Sequence, residues 1–244
     1  MTDLLRVACV QMTSRADKAA NLEKAERLVA RAAATGADVV ALPEKWNAIG
    51  SVEELHAAAE PLEGGESVAA MAEWARSHGI TLVGGSISER REGREKLSNT
   101  SLAFGPDGEL LGVYRKIHLF DVEVGGHVYR ESEAEEAGAE LVTVPAHFTT
   151  PTGKDHWHVL LRARAIENQY YVAAPAQVGE TLPGRPAYGR SLIVDPWGIV
   201  LAQAPDEETV ISAELDRARL RSVREKLPSL KNRQADAYRW PTPA

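Results

Sequence analysis

Residues 4–12, LLRVACVQM, are a short apolar run rich in strand formers, and ADVVALPE at 37–44 is a second. Between them, 17–35 place Leu22, Ala25, Leu28, Val29 and Ala32 at helical spacing, with Asp17 to cap the start and Gly36 just past the end. Two strands joined by a helix of this length run parallel, because only a crossover connection returns the chain to the same edge. Parallel strands need cover on both faces. This one unit therefore commits the chain to an α/β architecture.

The remainder mixes the same pattern with hairpins. A helix at 66–78 leads to the strand ITLVGGSIS at 80–88. SNTSLAFGPDGELLGVYRK (98–116) is two alternating runs around GPDG, and RSLIVDPWGIVLAQA (190–204) turns at Asp195-Pro196-Trp197-Gly198. Strands are expected also at 139–146, 169–178 and 207–215, and helices at 154–168 and 216–227. Two sheets packed face to face with helices outside accommodate both kinds of connection. No linker or repeat divides the chain, so residues 1–244 are expected to form one domain.

A net charge of −7 argues against a nucleic-acid partner or an anionic membrane surface, since both call for a basic face. No apolar run approaches the ~18 residues of a membrane span. The N-terminus enters a strand at once, without the basic and apolar regions of a secretory leader, so a cytoplasmic location is expected. Cys9 is the only cysteine, which excludes an internal disulfide and a cysteine-based zinc site.

Few residues carry a chemical signal alone. Glu44 follows a buried strand, and the C-terminal ends of strands are where α/β sites form; the commoner fate of a loop glutamate is to face water. Lys116, at the end of a hairpin strand, reads alone as a solvated lysine. Cys9 lies inside an apolar strand, whereas a reactive thiolate needs a partly exposed, electropositive setting. His156 and His158 stand two apart on a helix and do not share a face, so no metal site is expected. TGK at 152–154 is no phosphate loop, because the glycine required five positions before Gly153 is Phe148. No cofactor motif occurs.

Taken together, RVACVQM, ADVVALPE, NTSLAFGPDGELLGVYRKIHLFDVEV, YRES, AELVTVPAHFTTPTGKDHWHVLLRARAIENQYYVAAPAQVG and RSLIVDPWGIVLAQA resemble the nitrilase, or carbon–nitrogen hydrolase, superfamily. The similarity is greatest to its small-amide branch, of ω-amidase and deaminated-glutathione-amidase type, and covers nearly all of 1–240. The resemblance implies an αββα sandwich that pairs into a homodimer and acts on a small amide or carboxylate ligand. It also implies a Glu–Lys–Cys mechanism. Glu44 matches the general base, Lys116 the oxyanion lysine, and Glu131 of YRES a second glutamate that positions lysine and substrate. A thiolate attacks the amide carbon, a thioester forms with loss of ammonia, and water then releases the acid.

The family's cysteine motif, between YRES and the AELVTVPA strand, has no counterpart here. RESEAEEAGAEL (130–141) reads as a join between the sequence before the nucleophile strand and the end of the helix after it. Ordinary element lengths put the loss at roughly 30 residues, one strand and most of one helix. The chain is therefore expected to be a carbon–nitrogen hydrolase by descent without its nucleophile. The competing reading is a non-catalytic homodimer that binds a small ligand or serves as a scaffold.

Overall fold

The computed structural model describes residues 3–116 and 139–229. β1 (Leu4–Gln11), β2 (Val39–Ala41) and β3 (Thr81–Val83) lie side by side and parallel, as the strand–helix–strand pattern requires. β13 (Thr209–Asp216) runs antiparallel along the other side of β1. β5 (Ser98–Phe104) pairs antiparallel with β3, and it also carries β4 (Ile87–Glu89) and β6 (Leu110–Arg115). The second sheet has the order β12 (Val200–Gln203), β11 (Leu192–Val194), β8 (Tyr171–Ala174), β7 (Leu141–Thr143).

The period of two in the strands sorts the core into layers. Ala8, Val10 and Met12 of β1 and its extension face outward, against Leu28 and Val29 of α1 (Lys18–Ala34) and Met71 and Trp74 of α3 (Glu66–His78). Val7 and Cys9, the alternate residues, face inward and meet Tyr171, Ala173 and Ile193 of the second sheet. On the far side, Val172, Ala174, Leu192 and Val194 pack under Trp157, Leu161 and Ala165 of α4 (Thr150–Asn168). Leu220 of α5 (Arg217–Lys226) packs with the inter-sheet cluster. The layering is α–β–β–α. Asp17 caps α1 by accepting from the Ala20 N–H at 3.0 Å, and Gly36 takes φ +78° beyond its end.

Several boundaries differ from the sequence expectation. The stretch 80–88 is two strands, broken at Gly84-Gly85. Gly85 has φ +52°, and a Cβ there would stand 2.0 Å from the Pro43 carbonyl oxygen. Close approach to the turn after β2 breaks the strand. α4 begins at Thr150 rather than 154, because Pro151 fits the first helical turn, where its missing N–H costs nothing. Gly153 lies buried on α4, where a Cβ would come within 2.2 Å of the Tyr188 ring. Close helix packing thus accounts for the glycine of TGK.

One helix and one hairpin were not anticipated. α2 (Val52–Ala58) is held by a capping box between Ser51 and Glu54, a signature present in the sequence. β9 (Val178–Leu182) and β10 (Arg185–Tyr188) form a hairpin, while the strand expected over 169–178 ends at Ala174. The Pro183-Gly184 dipeptide marks the turn.

Candidate active site

Glu44 lies three residues past β2, at the edge where parallel β1, β2 and β3 all end. Its backbone course is set by unusual local geometry. Lys45 adopts φ +52°, costly for a residue with a side chain, and its N–H donates to Ser86 Oγ at 3.0 Å. The Ser86 N–H in turn donates to the Pro43 carbonyl at 3.3 Å. Gln177 Nε2 donates to the Glu44 carbonyl at 3.1 Å. The turn is thereby tied to the β3–β4 connection and to the link between β8 and β9.

The carboxylate is held as firmly as the backbone. Lys116 Nζ and Asn99 Nδ2 both donate to Glu44 Oε1 at 2.8 Å. The His147 N–H donates to Oε2 at 3.2 Å. Ladder pairing explains why lysine and asparagine arrive together, since the Lys116 N–H donates to the Asn99 carbonyl at 2.8 Å. The Glu44 side chain is 17% exposed and that of Lys116 37%. Lys116 and Glu44 thus form a direct ion pair, a contact type that makes the stronger hydrogen bonds. The carboxylate also fixes the asparagine amide, because the reverse orientation would set two oxygens together. Asn99 Oδ1 is left buried without a partner among the described residues.

His147 extends the site. Its ring makes a 2.9 Å hydrogen bond between Nε2 and Thr181 Oγ1. Burial holds its pKa below the usual imidazole value; the Glu44 charge opposes that shift and Lys45 adds to it. The ring is therefore neutral near pH 7. Thr181 also lines a cavity of about 270 Å³ with Arg15, Ile49, Glu54, Glu180 and Leu182.

Glu44 and Lys116 are thus brought together as the sequence implied. Glu131 lies outside the described residues, as do 130–138 of the stretch 130–141 that the sequence analysis reads as a join. Cys9 is fully buried and packs between the sheets against Tyr171, Ala173 and Ile193. Burial pushes its thiol pKa up, which is the opposite of activation. Among the described residues no three metal-ligating side chains cluster; His156 is exposed and His158 Nε2 pairs with Gln203 Oε1 at 2.9 Å. No helix among the described residues is long and apolar enough to cross a membrane. Asn99, His147, Gln177 and Thr181 carried no chemical signal in the sequence, because each works through a contact made only in the fold.

The site is thus a lysine–glutamate pair past the strand ends of a sheet-on-sheet sandwich. The profile of the carbon–nitrogen hydrolase family matches residues 6–145 and 134–225, and the chain belongs to that family. The omega-amidase NIT2 of Xenopus tropicalis is 37% identical over 268 aligned residues, covering 96% of each chain. Nit3 of Saccharomyces cerevisiae, a member of branch 10 of the nitrilase superfamily, superposes with a TM-score of 0.85 at 33% identity, over 95% of this chain and 97% of that one. The NitFhit protein of C. elegans superposes at 0.86 with 32% identity, over 97% of this chain and 66% of that chain.

Proposed function

We propose that this chain holds a small amide at Glu44 and Lys116 but does not hydrolyse it, because the family's thiol nucleophile is absent. The observation that carries this reading is the contrast between an ordered Glu44–Lys116 pair and a lone cysteine sealed between the sheets. Glu44 is the general base in this reading, Lys116 the oxyanion donor, and Glu131 the second glutamate. The substrate class, a small ω-amide, is supported by the omega-amidase relatives. A missing nucleophile segment is supported by length: an alignment of 268 residues exceeds this chain's own 244, so at least 24 positions of the relative lack a counterpart. The two profile matches overlap at 134–145, which takes in 134–141 of the 130–141 stretch.

Without the cysteine the covalent route has no attacking atom. Glu44 can accept a proton and Lys116 can polarise a carbonyl, but the backbone donor beside the cysteine goes with the missing segment. Ammonia release from a small ω-amide should stay at background for this chain and appear when a cysteine-bearing segment is restored at the join. Equal turnover by the two chains would refute the proposal.

The same reading includes a homodimer in the cytoplasm. Val159 and Ile166 of α4 and Trp197 and Ile199 of the β11–β12 turn are each at least half exposed. Arg162 Nε donates to the Gly198 carbonyl at 2.8 Å, joining helix and turn into one apolar face. Ile166→Glu should yield monomer by sedimentation.

A further inference from the structure

Lys45, in the left-handed region at φ +52°, is braced on both sides by one pair of buried side chains. Gln177 and Ser14 are both fully buried. Gln177 Nε2 donates to the Glu44 carbonyl at 3.1 Å, just before Lys45, and Ser14 Oγ donates to the Trp46 carbonyl at 2.8 Å, just after it. The two side chains are also joined to each other. Gln177 Nε2 donates to Ser14 Oγ at 2.9 Å, and the Ser14 N–H donates to Gln177 Oε1 at 2.9 Å. Both N–H groups and the oxygen of the glutamine amide are thus engaged. Its orientation follows from its partners, because the Ser14 N–H can only donate and so must meet the oxygen. An ionised glutamate here could make neither donation, and an apolar side chain none of the three bonds.

The backbone of Gln177 reaches the other side of the site. Its N–H donates to the Ala146 carbonyl at 3.0 Å, and the next residue, His147, donates its own N–H to Glu44 Oε2. One residue therefore fixes the backbone that carries the carboxylate and the segment that carries one of its donors. A residue with a side chain keeps a positive φ only where its surroundings over-determine it. We propose that Gln177, acting with Ser14, is a positioning residue of this site: it holds the strained turn at Lys45 so that the Glu44 carboxylate meets Lys116 and the His147 N–H. Gln177 makes no hydrogen bond to the carboxylate or to Lys116 among the described residues, so it acts through the turn alone. The positioning concerns the Glu44–Lys116 geometry itself; what that geometry serves rests on the amide reading above.

Gln11 supplies a matched control. It too is fully buried and makes three side-chain hydrogen bonds, from the Ser191 N–H and to the Pro205 and Glu207 carbonyls, none of them on the Glu44 turn. NMR of the whole chain, with urea unfolding beside it, reads the Glu44 carboxyl carbon resonance and the exchange protection of the His147 amide. Gln177→Leu and Gln11→Leu should lower the urea midpoint alike. Only Gln177→Leu should shift the Glu44 resonance, and it should cut His147 protection about threefold to tenfold below that of Gln11→Leu, the effect of one hydrogen bond. Adding Lys45→Gly to Gln177→Leu should return both signals partway, because glycine takes a positive φ without strain. A mere packing role for Gln177 would not respond to residue 45. Ser14→Ala, which removes the bond to the Trp46 carbonyl, should move the same two signals in the same direction, and it decides the matter where Gln177→Leu does not fold. Signals unmoved by these variants, or moved as far by Gln11→Leu, overturn the positioning role. Propionamide titration of the unmodified chain judges the amide reading separately: absence of binding overturns that reading, while the positioning role still stands or falls on the Glu44 and His147 signals.

Discussion

Glu44 reaches its site from β2, in the middle of a seven-stranded sheet, with neighbours paired on both sides. Across the site, His147 arrives from β7, which ends a four-stranded sheet and pairs only with β8 among the described residues. The β2 side holds its carboxylate through Lys116 and Asn99 and its backbone through Ser86. On the β7 side the strand has only three residues, all half-buried. The difference teaches that the Glu44–Lys116 contact is built by β2, β5 and β6 with little help from the β7 flank; on the proposed reading, that is why the pair is separable from a nucleophile.

The largest expected effect probes the thinner sheet. Trp157 is 1% exposed and seats α4 on β8 and β11. Trp157→Ala should cost about 3–5 kcal/mol in urea unfolding. A cost below about 1 kcal/mol would show that the second sheet does not depend on its helix. A smaller effect tests the other flank. Asn99→Ala removes one donor to Glu44 together with its own unpartnered oxygen, and should cost roughly 1 kcal/mol. Asn99→Asp should cost more, because it sets a second carboxylate against Oε1. Asn99→Asp as stable as wild type would mean that the Asn99 amide does not hold the Glu44 side chain.

His147 supplies a pH-dependent term. Its folded pKa lies below the ordinary imidazole value of 6.5, so the folded state resists protonation that the unfolded chain accepts. Its contribution is therefore complete above about pH 6.5 and is lost as pH falls from there through the folded pKa. His147→Gln should flatten the stability–pH curve in that window; an unchanged slope would assign the acid sensitivity to other groups. The smallest effect is kinetic. Cys9 should react with a thiol reagent only as fast as the chain unfolds, and rapid labelling of the native protein would contradict its placement between the sheets.

Much of this was legible in the sequence because it rests on periodicity. The apolar run of β1 pointed to a buried strand with Cys9 inside it, and the mix of crossover and hairpin connections pointed to the sandwich; the structure adds that Val7 and Cys9 take the inter-sheet face and Ala8 and Val10 the helix face. Glu44 and Lys116 were legible through their motifs rather than their spacing. Asn99, His147 and Thr181 were not, since an asparagine on a strand reads the same whether it meets water or a carboxylate 55 residues away. The break at Gly84-Gly85 was hidden likewise, because the backbone that crowds Gly85 belongs to Pro43.

The most direct test of the central claim is ammonia release from a small ω-amide by this chain and by Glu44→Gln, at equal concentration. The account predicts that both stay at the no-enzyme background. Turnover by the unmodified chain that disappears in Glu44→Gln would contradict it, and would mean that water or another side chain attacks the amide in place of the cysteine.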